Sequence, residues 1–410
     1  MLQEDIMPHR VALLVPEFDV AGGVTGVALF LRDVLRDAEQ YTPDVISLPR
    51  SARDPAGVQL TRPSTWARGV QVEEKTWHDI PYRHVGARGS EFEFQRYRPR
   101  PPLTEVLQRY DLIQIVAGTP PWAHVAKHVD VPVVLQVATL TTVERNGQSA
   151  DDSMPLRLWR AGMTRIVSRM EREIPSLVDA IFVENAWMYD HFREKTDEDT
   201  VHFAPPGIDT EMYHPADSAE EMSDYVLSVG RLGDSRKNVR LLFEAYHRLR
   251  QRIEDVPRLV LAGLSGPTER DWARAEALGI RDHVEMHEDV PEAELAALYR
   301  NAGLFVLSSN EEGLGLVLAE AMASGTPVVS TDCGGPSTLI DDGTTGALVP
   351  TGDAEALADR MAHLLTHPTA AKAMGRAGRE RVEEEFSVEA AGARFLRVYD
   401  ELVDDAPTMQ

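Results

Sequence analysis

The chain has 410 residues, more than one ordinary hydrophobic core accommodates, so we expect two domains. Its 66 acidic and 42 basic residues give a net charge of −24, which argues against a nucleic acid as partner. No apolar run approaches the ~18 residues of a membrane span, and the N-terminal sequence does not resemble a signal peptide. Cys333 is the single cysteine, so the reducing cytoplasm is the expected compartment.

The charge is unevenly distributed along the chain. Residues 1–200 hold 29 acids and 23 bases, whereas residues 201–410 hold 37 and 19. An anionic ligand bound by the second half would be repelled unless a few local cations overcame the surrounding negative charge. Only five of the 42 basic residues are lysine, and this composition fits both a high-salt cytoplasm and a GC-rich genome.

The first predicted elements are a strand, a glycine turn and a helix. The apolar run Val11–Val15 predicts a buried strand, Gly22 and Gly23 a turn, and the spacing of Val24–Leu35 a helix. The glycine pair is not the Gly-x-Gly-x-x-Gly fingerprint, so a nicotinamide site is not expected. Residues 112–116 and 133–137 predict further buried strands, while residues 50–103 show no clear periodicity.

The next helix, predicted over Leu156–Ile174, combines apolar and basic residues. Its apolar stripe consists of Trp159, Met163, Ile166, Val167, Met170 and Ile174, and its bases are Arg157, Arg160, Arg165, Arg169 and Arg172. Such a helix either packs its stripe into the core or lies on an anionic membrane. We favour packing and keep peripheral membrane contact through residues 156–174 as the alternative.

The middle of the chain contains a chance motif and a linker. Asp197-Glu198-Asp199 matches an Asp-x-Asp metal motif, but no apolar strand precedes it, so we expect no metal there. The proline-rich segment 204–217 predicts a domain linker. Strands and helices alternate on both sides of it, which predicts two parallel sheets with helices on both faces.

The second half opens with another strand, loop and helix. Tyr225–Val229 predicts a strand and Val239–Leu249 a helix. Arg231 and Lys237 lie in the loop between them, and both side chains suit a phosphate ligand. Since this half of the chain is strongly acidic, these two cations are the candidates for holding a diphosphate.

A glycine-containing unit follows at residues 304–330. Leu304–Leu307 predicts a strand, Gly313 and Gly315 a tight turn, and Leu316–Ala323 a helix. Glu320 is the only charge between Leu314 and Ala323, and a carboxylate is costly to bury without a partner. Glu312 stands eight residues earlier, at the loop where free N–H groups favour an anionic ligand.

Glu312 and Glu320, with the glycines between them and the flanking residues 308–330, resemble the signature of retaining glycosyltransferases of family 4, the group 1 glycosyl transferases. The resemblance implies an α/β GT-B fold: two Rossmann-like domains with parallel sheets facing across a cleft. It implies an N-terminal acceptor-side domain over residues 1–206, a donor domain over 207–386 and a C-terminal helix, 387–410, that packs back on the first domain.

The resemblance also implies roles for individual residues. Glu320 would bind the ribose, Glu312 would lie beside the sugar, and Val290 would meet the nucleobase. Catalysis would rest on Glu312, Arg231 and Lys237, with Arg236 as the alternative to Lys237. The implied donor-binding set is Gly22, Gly23, Arg231, Lys237, Val290, Glu312, Gly313, Leu314, Gly315, Leu316 and Glu320.

The chain departs from the family pattern at two positions. Ala138 stands where a histidine often contacts the donor sugar, and Thr338 stands where a glutamate is common. The implied activity is metal-independent, cofactor-free transfer of a hexosyl group, with retention, from a UDP- or GDP-linked sugar to a glycan, lipid-linked or small-molecule acceptor. The alternatives are a sugar-nucleotide epimerase and a catalytically silent nucleotide-sugar-binding module.

Overall fold

The computed structural model describes residues 7–20, 22–145, 154–216 and 225–404. It divides into two compact units, residues 1–206 with 392–410 and residues 207–391. Asp217, at the end of the predicted linker, and residues 405–410 of the predicted C-terminal helix lie outside the described residues. No helix among the described residues is both long and apolar enough to span a bilayer.

In the described part of the first unit, eight strands form one sheet with the order β3-β4-β2-β1-β5-β6-β7-β8. The strands are β1 His9–Pro16, β2 Tyr41–Leu48, β3 Val72–Trp77, β4 Ile80–Val85, β5 Leu112–Ala117, β6 Val133–Val137, β7 Ala180–Val183 and β8 Val201–Phe203. The accompanying helices are α1 Gly23–Asp37, α2 Glu93–Arg96, α3 Pro101–Leu107, α4 Thr141–Glu144, α5 Met154–Glu171 and α6 Ala186–Arg193. All neighbouring strands run parallel except β3, which pairs antiparallel with β4.

The pair β3 and β4 fills part of the region that showed no clear periodicity. His78 and Asp79 join the strands, and both have positive φ, 46° and 61°. Two consecutive left-handed residues give the tight turn whose twist matches an antiparallel hairpin. The usual sequence signal for such a turn contains glycine or asparagine, and its absence here explains why the hairpin was missed.

In the described part of the second unit, six parallel strands form a sheet with the order β11-β10-β9-β12-β13-β14. The strands are β9 Tyr225–Arg231, β10 Arg258–Ser265, β11 Val284–Glu288, β12 Leu304–Leu307, β13 Val328–Thr331 and β14 Ala347–Val349. The helices are α7 Val239–Arg252, α8 Glu269–Ala277, α9 Glu292–Asn301, α10 Leu316–Ala323, α11 Pro336–Leu339, α12 Ala354–Thr366 and α13 Pro368–Arg381. The bounds of β12 and α10 are those predicted from the sequence.

The last helix, α14 Val388–Asp404, begins in the second unit and continues into the first from residue 392. Phe395 and Tyr399 are fully buried in the core of the first unit. The Tyr399 hydroxyl donates to Gln114 Oε1 at 2.6 Å, and the Tyr41 hydroxyl donates to Asp400 Oδ1 at 2.5 Å. Buried aromatic rings whose polar tips find partners are a common way to fasten a terminal helix to a core.

Helix α5 differs from the prediction in its bounds and in its burial. It ends at Glu171 rather than Ile174, which lies in a separate short turn. The expected packing of the apolar stripe holds for Val167 and Ile174, which are buried, but is wrong for Trp159 and Ile166, which are exposed. The first half of the helix therefore lacks the core contacts that the apolar stripe predicted.

Candidate active site

The loop between β12 and α10 sets up the candidate site. Gly315 precedes the helix with φ of 93°, a left-handed conformation that costs an L-residue energy but not glycine. This turn directs the chain into α10, whose first N–H groups have no acceptor within the helix. The loop thus ends at a helix N-terminus that attracts an anion.

Glu312 lies at this loop with a cation beside it. Lys237 Nζ donates to Glu312 Oε1 at 2.6 Å, and Ser309 Oγ donates to the same oxygen at 2.5 Å. The two charged side chains are only 16% and 10% exposed, so the ion pair is well shielded from water. The second carboxylate oxygen, Oε2, accepts no hydrogen bond from the described residues and is available to a ligand hydroxyl.

A second loop, between β9 and α7, brings Lys237 to this place. Asn238 adopts φ of 44°, and its side chain caps α7 by accepting the N–H of Leu241. The helix begins at Val239, two residues after Lys237. Hydrogen bonds join this loop to the Glu312 loop: Asn310 N donates to Arg236 O at 2.7 Å, and Asn238 Nδ2 donates to Asn310 Oδ1 at 3.0 Å. The Ser308 hydroxyl also lies 3.0 Å from the carbonyl oxygen of Lys237 and 3.2 Å from that of Asn238. Lys237 is therefore fixed next to Glu312 by backbone and side-chain contacts between the two loops.

The neighbouring arginines have other partners. Arg236 forms a forked contact with Asp234, with Nη2–Oδ2 at 2.8 Å. Burial alone would raise the pKa of Asp234, but the hydrogen bonds and charge of Arg236 outweigh it and lower that pKa. Arg231 is half exposed and lies 4.0 Å from Asp234. Lys237 and Arg236 were the alternative candidates for the second phosphate-binding cation, and of these two described residues Lys237 is the one that contacts Glu312.

A third loop supports Glu312 from behind. Glu312 pairs with Gly334, and the N–H of Gly335 donates to the carbonyl oxygen of Glu312 at 3.2 Å. A Cβ on Gly335 would lie 2.6 Å from the Gly313 carbonyl oxygen, so a side chain at this position would push the two loops apart. The position of Glu312 thus depends on a glycine 23 residues later in the chain.

Glu320 lies one helical turn before the end of α10, and its carboxylate has a specific partner. The Tyr299 hydroxyl donates to Glu320 Oε2 at 2.7 Å, and Tyr299 itself is fully buried. Burial raises the pKa of Glu320 to about 7, while the Tyr299 hydrogen bond lowers it and the Glu292 charge raises it. The carboxyl is therefore more easily protonated than that of an exposed glutamate, although the residue as a whole is only partly buried.

Val290 follows β11 and packs partly buried against the same core cluster as α10. The residue before it, Asp289, has φ of 53° and donates its N–H to the carbonyl of Gly263 at 3.0 Å. Helix α9 begins two residues after Val290 and carries Tyr299, whose hydroxyl contacts the Glu320 carboxylate. Val290 and Glu320 therefore belong to one region of the second unit.

The remaining sequence-predicted positions belong to the first unit. Gly23 begins α1 and Gly22 directly precedes it, and a Cβ on either would meet nothing within 4 Å. After β6, Ala138 accepts a hydrogen bond from the Asn185 side chain through its carbonyl at 3.0 Å. The hydroxyls of Thr139 and Thr141 are buried there without a hydrogen-bond partner among the described residues, so polar groups do stand near the position of the missing histidine.

Three site residues were missed in the sequence. Ser309 and Asp234 lie inside polar loops, and nothing in their spacing separates them from ordinary loop residues. Tyr299 has the spacing of a core residue in α9, and only its pairing with Glu320, 21 residues later, gives it a further role. Thr338, at the position where a glutamate is common, is buried with its hydroxyl unpartnered.

Comparison with known proteins agrees with the motif. A family model described as "Glycosyl transferases group 1" matches residues 209–381. A relative from Arthrobacter sp., named D-inositol 3-phosphate glycosyltransferase, is 32% identical over 329 residues, covering 76% of this chain and 74% of that protein. The alignments with the first curated relatives span 66%, 61% and 59% of those proteins' lengths.

Solved structures share the fold across nearly the whole chain. Sucrose-phosphate synthase from Thermosynechococcus elongatus matches with a TM-score of 0.72 and 23% identity, covering 97% of this chain and 99% of that one. Anabaena HepE in complex with UDP-glucose matches with a TM-score of 0.70 and 15% identity, covering 96% and 100%. The predicted α/β GT-B fold with two Rossmann-like domains is thereby confirmed, and the chain belongs to the group 1 glycosyl transferase family.

Proposed function

We propose that this protein transfers a hexosyl group from a nucleotide-diphosphate sugar to an acceptor hydroxyl, with retention of the anomeric configuration and without a metal or cofactor. The observation that carries the proposal is the shielded contact of Lys237 with Glu312 at the N-terminus of α10. A cation, a carboxylate and a helix N-terminus in one place match a ligand that combines a diphosphate with sugar hydroxyls.

The donor is UDP- or GDP-linked, and its parts would be divided among the site residues. The diphosphate would lie at the start of α10, against the main chain of residues 313–316, with Arg231 and Lys237 as its counter-charges. The free Oε2 of Glu312 would accept a hydrogen bond from the sugar, and Glu320 would accept from the ribose hydroxyls. Val290 would meet the nucleobase, and Gly22 and Gly23 would leave room for the diphosphate.

Catalysis would rest on charge stabilisation and positioning. As the bond between the anomeric carbon and the phosphate oxygen breaks, negative charge grows on the departing nucleoside diphosphate, which Lys237 and Arg231 would stabilise. The acceptor oxygen would bond to the same face of the anomeric carbon, and its proton would pass to the departing phosphate. Because the cations are side chains, the reaction would need no metal ion.

The acceptor is a glycan, a lipid-linked sugar or a small molecule. Among these we favour a phosphorylated polyol or sugar, since relatives are named for D-inositol 3-phosphate and for sucrose phosphate. A lipid-linked acceptor is the alternative. The single cysteine, Cys333, supports a reducing compartment such as the cytoplasm.

The proposal is tested by incubating the protein with a panel of UDP- and GDP-sugars and measuring release of nucleoside diphosphate with and without acceptors. Acceptor-dependent release that survives a chelator is expected, with the product's anomeric configuration, read by proton NMR, equal to the donor's. Glu312→Gln serves as the impaired control. Inverted product, strict metal dependence, or sugar interconversion without acceptor would each contradict a stated part of the proposal.

A further inference from the structure

The first half of α5 exposes apolar side chains to solvent, as a surface that binds a partner does. We call residues 154–162 the arm. All nine of its residues are exposed, among them Leu158 at 69% and Trp159 at 48%. A helix of this length with few tertiary contacts is marginal in water, and large exposed apolar side chains on one segment mark an interaction site.

The charge of this segment is opposite to that of the chain as a whole. Residues 154–170 contain four arginines and no aspartate or glutamate, in a protein of net charge −24. Arg157 and Arg165 are exposed beside the exposed apolar residues. A segment that is both apolar and basic suits a partner that is apolar inside and anionic at its surface.

A second segment of the same unit repeats this combination. We call residues 60–68 the 60–68 loop. It contains two arginines and no acid, and its Leu60 and Trp66 are 47% and 55% exposed. The two segments meet at one turn: the Trp159 ring packs on Phe92 at 5.4 Å, Phe92 N donates to Gly89 O, and Leu60 lies 3.7 Å from where a Cβ on Gly89 would stand.

We propose that the arm, the neighbouring Arg165 and the 60–68 loop together form a docking face for an anionic lipid bilayer. Tryptophan and leucine would enter the interfacial layer, where tryptophan is enriched in membrane proteins, while the arginines contact lipid phosphates. A second copy of the chain fits this face less well, because a twofold contact would place one set of arginines against the other. An acidic region elsewhere on a second copy would neutralise the arginines but would leave the apolar side chains of this face exposed.

The test is sedimentation of the full chain with vesicles of phosphatidylcholine alone and with vesicles that also contain phosphatidylglycerol. Binding is expected only to the anionic vesicles, strongest at low salt and fading as salt rises. The double variant Arg157→Gln/Arg165→Gln and the single variants Trp159→Ala and Trp66→Ala should each weaken it by about 10-fold or more. The assay needs neither donor nor acceptor, so its result is independent of the proposed transfer reaction.

Matched controls come from exposed residues elsewhere. Arg36→Gln/Arg109→Gln removes two exposed arginines of the same unit, and Leu264→Ala removes a side chain that is 52% exposed in the other unit. Both should bind like the unmodified protein. The proposal is overturned by an absence of binding at every salt concentration, by equal losses in the controls, or by a concentration-dependent dimer that Trp159→Ala dissociates without any vesicle binding.

Discussion

Two helices that look alike in the sequence have opposite surroundings. Both α10 and the first half of α5 are rich in apolar residues, and we expected both to pack into a core. In α10, Leu318, Ala319, Ala321 and Met322 are buried, and its single charge pairs with Tyr299. In the first half of α5, every residue from 154 to 162 is exposed.

The difference shows what an apolar pattern determines and what it leaves open. Spacing shows which side chains share a face of a helix, but it does not show what covers that face. For α10 the cover is the protein's own sheet, reached through the short segments that join it to β12 and β13. For α5 the apolar residues continue beyond the region that the described part of the first unit buries, and Trp159 remains 48% exposed despite its contact with Phe92.

The largest expected effect separates the two helices directly. Leu318→Ala removes a fully buried side chain, and core truncations of this kind cost ~2–5 kcal/mol of unfolding free energy. Leu158→Ala makes the same chemical change at a side chain that is 69% exposed, and such substitutions stay within about 0.5 kcal/mol. Urea unfolding of the two variants measures the contrast. Similar losses would mean that a contact within the protein covers the arm.

The second prediction concerns Lys237, the cation that contacts Glu312 in the loop before α10. Lys237→Ala should lower kcat by about 100-fold, as loss of a preorganised charge stabiliser commonly does. Lys372→Ala, which removes a lysine from α13 of the same unit, is the control and should leave turnover unchanged. Steady-state kinetics with a saturating donor measures both. A larger loss in Arg236→Ala than in Lys237→Ala would assign the role to Arg236 despite its contact with Asp234.

The charge inside α10 provides the third prediction. The pKa of Glu320 is raised from 4.5 to about 7, so its contribution to stability is present below pH 4.5 and is lost as pH rises toward 7. Glu320→Gln should therefore be more stable than the unmodified protein at pH 8, by at most about 3 kcal/mol. The same variant should bind donor about 10-fold more weakly, because it loses a charged acceptor for ribose hydroxyls.

Thermal unfolding at pH 8 and pH 5, together with calorimetry of donor binding, measures both effects of Glu320→Gln. A gain in stability with a loss of affinity is the pattern expected of a buried charge that is kept for binding. Unchanged donor affinity would remove Glu320 from the proposed site, whatever happens to stability.

The sequence predicted the donor half of the molecule better than the acceptor half. The bounds of β12 and α10 follow from a short apolar run, two glycines and a stop signal at Ser324-Gly325, all local features. The contact of Lys237 with Glu312 joins residues 75 positions apart, so only the family resemblance suggested that they act together. The hairpin β3–β4 was missed because its turn, His78-Asp79, lacks glycine and asparagine.

Tyr299 was out of reach for a related reason. Its position in α9 has the spacing of a core residue, and it is one, with its ring fully buried beside Phe305. Its hydroxyl nevertheless donates a hydrogen bond to Glu320. A hydrogen bond between two helices does not change the hydrophobic periodicity of either sequence, so periodicity cannot reveal it. The ring of Tyr299 packs in the core while its hydroxyl contacts a site residue, and the sequence indicates only the first of these roles.

The smallest expected effect tests whether Tyr299 tunes that carboxylate. Its hydrogen bond lowers the pKa of Glu320, so Tyr299→Phe should raise that pKa above its value of about 7. If the ionised carboxylate binds the ribose, the variant should bind donor a few-fold more weakly at pH 7 and recover at higher pH, with the midpoint of its affinity-versus-pH curve shifted upward.

Tyr246→Phe is the matched control, since Tyr246 is an equally buried tyrosine of the same unit whose hydroxyl donates to the Pro257 carbonyl at 2.8 Å, away from Glu320. It should leave the midpoint in place, because it loses a buried hydrogen bond without touching the carboxylate. Calorimetric titration across pH 6–9 distinguishes the outcomes. An equal loss of affinity at every pH in Tyr299→Phe would mean that the tyrosine supports the core alone, because a change in packing does not follow the protonation of Glu320.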